Sequence, residues 1–126
     1  MIPKKLMYWH IGYIYDMDKR ALYKGCLEPV LLQLLHDHGR MYGYEITQKV
    51  KELTRGELVI TEGALYPLLH RLEAEGILQV EMEPIGNRMR KYYSLTQTGN
   101  QQKAVAAEEL QTFVQTLQML LQPKTI

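Results

Sequence analysis

Between Leu78 and Glu83 the hydrophobic period of this chain switches from three and four residues to two. Upstream, three sets of apolar residues recur at helical spacing: Leu27, Val30, Leu31, Leu34 and Leu35; Ile46, Val50 and Leu53; and Leu65, Leu68, Leu69 and Leu72. Downstream, Leu78, Val80 and Met82 alternate with Gln79, Glu81 and Glu83, Pro84, Gly86 and Asn87 mark a turn, and Met89 to Leu95 runs back. The chain therefore has to pass from three short helices into a two-stranded hairpin. Breakers support the division. Pro29 is tolerable only in a first helical turn, His36 to Gly39 end the first helix, and a loop runs through Tyr42 and Gly43. The second helix stops before Gly56, Thr61 caps the third, and Gly76 stops it.

Thr96 is a second cap, and it opens a glutamine-rich run to Gln122. There Ala106, Leu110, Phe113, Leu117 and Leu120 follow at four- and three-residue steps, a seam for another helix. On a lone helix Phe113, Val114, Leu117, Leu120 and Leu121 would leave an apolar stripe in water, so a partner helix is expected to cover it. The competing reading folds this helix back on its own domain. The division expected is an N-terminal arm over 1–24, a helical domain with its hairpin over 25–96, a dimerisation helix over 97–122 and a tail over 123–126.

With 126 residues the chain holds one domain with an appended oligomerisation element, not a two-domain enzyme. Its 46% apolar and 23% charged content excludes wholesale disorder. Cys26 stands alone, which excludes an intrachain disulfide and fits a reducing, cytoplasmic setting. The apolar stretch Leu6 to Tyr15 is too short to span a bilayer and has no small-residue cleavage site after it, so neither membrane nor secretion is expected. The arm that contains it is Tyr- and Met-rich with Lys4, Lys5, Lys19, Arg20 and Lys24. It reads either as a short extra helix or extension packed on a partner or as a basic arm on DNA, and Met17 offers a second start.

Three helices and a hairpin form the layout of a winged helix-turn-helix, in which one helix is offered to the major groove of DNA. The fold class expected is mainly α with a small β-hairpin, followed by a long C-terminal helix. On the third helix, Gly63, Tyr66, Pro67, His70, Arg71 and Ala74 share the face opposite the leucines. Glycine, tyrosine and proline are unusual on a merely solvated face. Gly63 holds nothing away from it, and Tyr66 offers a ring and a hydroxyl. Tyr66 also fits a second role, covering the edge of the core. Pro67 leaves the Gly63 carbonyl without its helical donor, so a mild bend is expected.

Whole-chain charge is +1, and residues 25–96 carry eight basic against ten acidic groups, so nucleic-acid binding requires segregation of charge. Arg71 together with Arg88, Arg90 and Lys91 of the hairpin is the expected basic cluster. The hairpin cations also fit a plainer role, discouraging edge-to-edge pairing of strands. An enzyme is disfavoured. His36 and His38 point apart on a helix, His10 and His70 have no matching partners, and neither a metal-binding spacing nor a Gly-rich phosphate loop occurs. No metal or cofactor is expected. The remaining rival is a winged domain that binds only proteins.

Three motifs in order, Tyr42-Gly43-Tyr44-Glu45-Ile46, Thr61 through Glu73 with Gly76, and Arg88-Met89-Arg90-Lys91-Tyr92-Tyr93-Ser94-Leu95-Thr96 with Gly99, resemble the PadR family of transcriptional regulators. The resemblance covers about residues 25–122. It implies a homodimeric repressor on double-stranded DNA, with Leu110, Phe113, Val114, Leu117, Leu120 and Leu121 at the dimer interface and activity that responds to a small-molecule effector. It implies phosphate contacts at Tyr42 and Tyr44, groove contacts at Thr61, Gly63, Tyr66 and Pro67, and a basic wing at Arg88, Arg90 and Lys91. Arg71 is read as a backbone anchor. Three departures stand out: Ala64 where threonine is frequent, a longer arm, and a sole tryptophan, Trp9, in that arm, whereas some relatives hold flat ligands between tryptophans of the dimer helices.

Overall fold

The computed structural model describes residues 19–122. The expectations for the arm before Lys19, including Trp9, and for the tail 123–126 lie outside the described residues. Helix α1 (Lys19–Tyr23) and a single 3-10 turn (Lys24–Cys26) lead into α2 (Leu27–His38). Helix α2 stops within the expected stretch His36 to Gly39. It ends where Gly39 takes φ +78° and donates its amide to the Leu35 carbonyl at 3.0 Å. Leucines at 31, 32, 34 and 35, with Leu27 and Val30 beside them, spread apolar side chains over more than half of the helix circumference. A helix of this kind needs cover on two sides.

On one side lie α3 (Gly43–Leu53), α4 (Glu62–Ala74) and the sheet; on the other lies the first half of α5 (Gln97–Leu121). Core residues Ile46, Val50, Leu65, Leu69, Leu72 and Tyr93 close the first side, and Ala106 lies buried on the second. Both threonine caps form: Thr61 Oγ1 accepts from the Ala64 amide at 3.2 Å, and Thr96 Oγ1 accepts from the Gly99 amide at 2.9 Å. Pro67 stands inside α4 on its exposed face.

The sheet departs from the expected two strands. β2 (Leu78–Ile85) and β3 (Arg88–Leu95) pair antiparallel from Leu78↔Leu95 to Ile85↔Arg88, and β1 (Met41–Tyr42) adds to the far edge of β3 with Met41↔Tyr93 and Tyr42↔Tyr92. Two residues are too few to display alternation. What recruits them is burial: Met41 and Tyr93 are each almost fully buried side by side. Among the described residues no helix is long and apolar enough to cross a membrane.

The junction between sheet and α5 is tight. Thr96 donates its amide to the Ile77 carbonyl at 3.1 Å and its hydroxyl to the Gly76 carbonyl at 2.6 Å. Gly99 sits one turn on, where a Cβ would overlap the same Ile77 carbonyl oxygen, a backbone atom that cannot yield alone. Gly99→Ala should therefore cost about 1–3 kcal/mol of stability through overpacking. Gly25→Ala, with nothing within 4 Å of the added carbon, should be neutral or better. Paired chemical denaturation curves measure both, and equal midpoints would contradict the junction described.

Candidate nucleic-acid interface

Strand β1 ends at Tyr42, and α3 begins at once with Gly43. Glu45 accepts a hydrogen bond from the Tyr42 amide at 3.4 Å, fixing the entry to that helix. This brings Tyr42 and Tyr44 beside two distant segments. Tyr42, Tyr44, Tyr66, His70, Arg88, Arg90, Lys91 and Tyr93 line one open cleft of about 650 Å3 between the start of α3, the outer face of α4 and the hairpin. Of the residues expected at the site, Tyr42, Tyr44, Tyr66, Arg88, Arg90 and Lys91 thus meet.

The electrostatics distinguish these cations. Arg90 lays its guanidinium 4.1 Å over the Tyr42 ring and donates to the Tyr92 hydroxyl at 3.4 Å, a bond that raises its pKa further. Tyr42 meets Tyr92 edge-on at 5.5 Å, and Arg40 covers Tyr92 at 4.3 Å, so arginine and tyrosine alternate across the sheet's outer face. Arg40 is neutralised by Glu81 at 2.9 Å and Glu83 at 2.8 Å. Lys91 points the other way, 3.5 Å from the Glu73 carboxylate and 5.5 Å above the Tyr93 ring. Burial pushes the Tyr93 phenol above its ordinary pKa, outweighing the pull of Lys91, so it stays neutral. Arg88, at the exposed hairpin tip, has no ion-pair partner among the described residues. Arg88 and Arg90 therefore carry the open positive charge of the wing.

The expected cluster of Arg71 with the wing does not form. Five positions separate Arg71 from Tyr66, roughly 140° around a helix. Arg71 instead binds Glu28 at 2.5 Å and Glu75 at 3.0 Å, bonds that raise its pKa, on the wall of a different cleft. Thr61 lines that second cleft too, its hydroxyl oxygen engaged as the cap of α4. Gly63 and Pro67 are exposed outside the first cleft, and a Cβ on Gly63 would meet nothing within 4 Å. Tyr66 is half-buried: it packs on the core edge, as one reading expected, and also lines the cleft.

His70 joins the site without having been expected there, although its spacing carries the signal. It lies one helical turn from Tyr66, with ring centroids 6.3 Å apart. The positions of Arg40 and Tyr92 depend on strand β1, which no periodicity reveals.

Comparison with known proteins agrees with this geometry. The family model for transcriptional regulator PadR-like proteins matches residues 31–105. A transcriptional regulator of Mycobacterium tuberculosis is 39% identical over 72 residues, covering 56% of this chain and 64% of that protein. A solved transcriptional regulator from Clostridium thermocellum superposes with a TM-score of 0.75 at 26% identity, covering 81% of this chain and 99% of that one. Bacillus subtilis PadR, solved in complex with operator DNA, superposes with a TM-score of 0.58 at 25% identity, covering 80% of this chain and 49% of that one. All three sequence motifs, from Tyr42 to Gly99, fall inside the span that the family model matches. The chain belongs to the PadR-like family of transcriptional regulators, with the winged-helix fold of that family.

Proposed function

We propose that the protein is a homodimeric repressor that binds an inverted-repeat operator through α4 and the basic hairpin. The observation that carries this reading is the convergence of Tyr42, Tyr44 and Tyr66 with Arg88 and Arg90 on one open cleft, from three separate chain segments. Arg88 and Arg90, without carboxylate partners among the described residues, supply phosphate contacts together with the Tyr42 and Tyr44 hydroxyls, and Tyr66 supplies a contact that depends on the base sequence. Lys91, held by Glu73, contributes less charge than the two arginines. Thr61, Gly63 and Pro67 belong to this reading as the leading end of α4, whose bare Gly63 admits a close approach. Arg71 does not: its role is to tie α4 to α2 through Glu28.

The second protomer is called for by α5. Beyond Leu110 every residue to Gln122 is exposed, including Phe113, Val114, Leu117, Leu120 and Leu121, the last two at 75% and 78%. At roughly 25 cal/mol per Å2, covering a few hundred Å2 of such surface yields several kcal/mol before association entropy is subtracted. A like helix from a second copy supplies a matching stripe around a two-fold axis.

Small-molecule release of the operator belongs to the same reading. What supports it is the rear cleft of about 610 Å3 between α2, the inner flank of α4 and α5, lined by Leu27, Leu68, Arg71 and Ala106 among others. A ligand there would touch both the reading helix and the dimer helix.

Three outcomes follow for the purified protein. Arg88→Ala with Arg90→Ala should weaken binding to operator and scrambled duplexes alike and flatten the salt dependence by about 0.9 log units for each phosphate left unneutralised; an unchanged slope in fluorescence anisotropy titrations would remove the wing from the interface. Tyr66→Ala should instead erode the preference for a selected duplex over a scrambled one, by roughly 1–3 kcal/mol, and equal losses on both sequences would argue against sequence reading by α4. Leu117→Glu with Leu120→Glu should give a folded monomer in sedimentation equilibrium that no longer protects two half-sites about one helical turn, or a multiple, apart. A dimer that persists in this variant would place the interface elsewhere.

A further inference from the structure

We infer that Gly43 is a positioning residue for sequence reading: it leaves the space that lets the Tyr66 ring stand at its working depth in the cleft. This inference rests on the reading of that cleft as the DNA-facing surface. Nothing in the local backbone asks for glycine here. Gly43 is the first residue of α3, its φ is not positive, and alanine is the better helix former. The demand comes from across the cleft. A Cβ at residue 43 would lie 2.6 Å from Tyr66 Oη, 2.9 Å from Cζ and 3.0 Å from Cε1.

All three atoms belong to the far end of one side chain, and none to backbone. A larger residue at 43 would therefore displace the ring and leave both helices in place. His70 is the ring's neighbour one helical turn on, 6.3 Å away between centroids. The displaced ring moves into the space shared with His70, Arg88 and Lys91, where a duplex would lie. Gly63 makes the contrast clear, since the fold leaves the space around it open. The space beside Gly43 is filled by a single reading side chain, and the smallness of the glycine sets where that side chain stops.

A double-mutant cycle between Gly43→Ala and Tyr66→Ala tests this, with a duplex selected by the native protein from a random-sequence pool and a scrambled duplex of the same composition. Gly43→Ala should lose about tenfold in affinity for the selected duplex and under twofold for the scrambled one. In the Tyr66→Ala background it should cost nothing further, because no ring is left to displace. An equal penalty in both backgrounds, or none in the native background, overturns the inference while leaving the DNA-reading cleft standing. A native protein that binds neither duplex at low salt, or a Tyr66→Ala protein that keeps full preference for the selected one, removes the reading of the cleft itself. Should Gly43→Ala prove too unstable to assay, the thermal midpoint of the double variant decides. Recovery to the midpoint of Tyr66→Ala alone supports a collision with the ring, and a double variant as unstable as Gly43→Ala overturns it.

Discussion

Helix α2 is buried on two sides, and the rest of the molecule is arranged to cover it. Leu31 and Leu32 are fully buried and Leu34 and Leu35 nearly so, an arc too wide for one neighbouring helix to shield from water. The winged unit takes one flank and the first half of α5 the other. As a result, the first half of α5 is seated on the same helix as the winged unit. The Thr96 and Gly99 contacts with Gly76 and Ile77 fix the remaining angle at the sheet end. In the homodimer proposed above, a rigid connection of this sort would let packing, and not a linker, set the separation of the two reading helices.

Charge is handled by pairing more than by composition. The winged unit is slightly acidic, yet its carboxylates are engaged where they leave the cleft open. Glu81 and Glu83 hold Arg40, Glu28 and Glu75 hold Arg71, and Glu73 holds Lys91. Arg88 and Arg90 line the cleft without a carboxylate partner among the described residues, the latter steadied by two tyrosines. Exposed pairs of this kind add little stability. Their consequence is spatial: positive potential is concentrated along one edge of the cleft.

Much of the architecture is legible in the periodicity. The leucine stripes, the glycine stops and the threonine caps each act over a few residues, so they leave a local trace that survives without the fold. Strand β1 leaves none, since two residues carry no alternation and Met41 joins the sheet only because Tyr93 is buried beside it. Periodicity therefore yields a hairpin of two strands and misses the third. The end of α2 is legible because it too is local: His36 to Gly39 stop the helix, and Gly39 takes a positive φ just past its last turn.

The site divides along the same line. Sequence by itself determined which residue types are present and that the leucines of α4 lie opposite Tyr66 and His70, because helical geometry places every fourth residue together whatever the surroundings. It also determined that the last helix is too apolar to stand alone. Tertiary structure decided which faces meet. It joined Tyr42 and Arg90 across a strand pair, turned Arg71 toward Glu28 and away from the wing, and set Gly43 against the Tyr66 ring. Such contacts depend on the relative placement of segments far apart in the chain, and that placement comes from burying the α2 leucines.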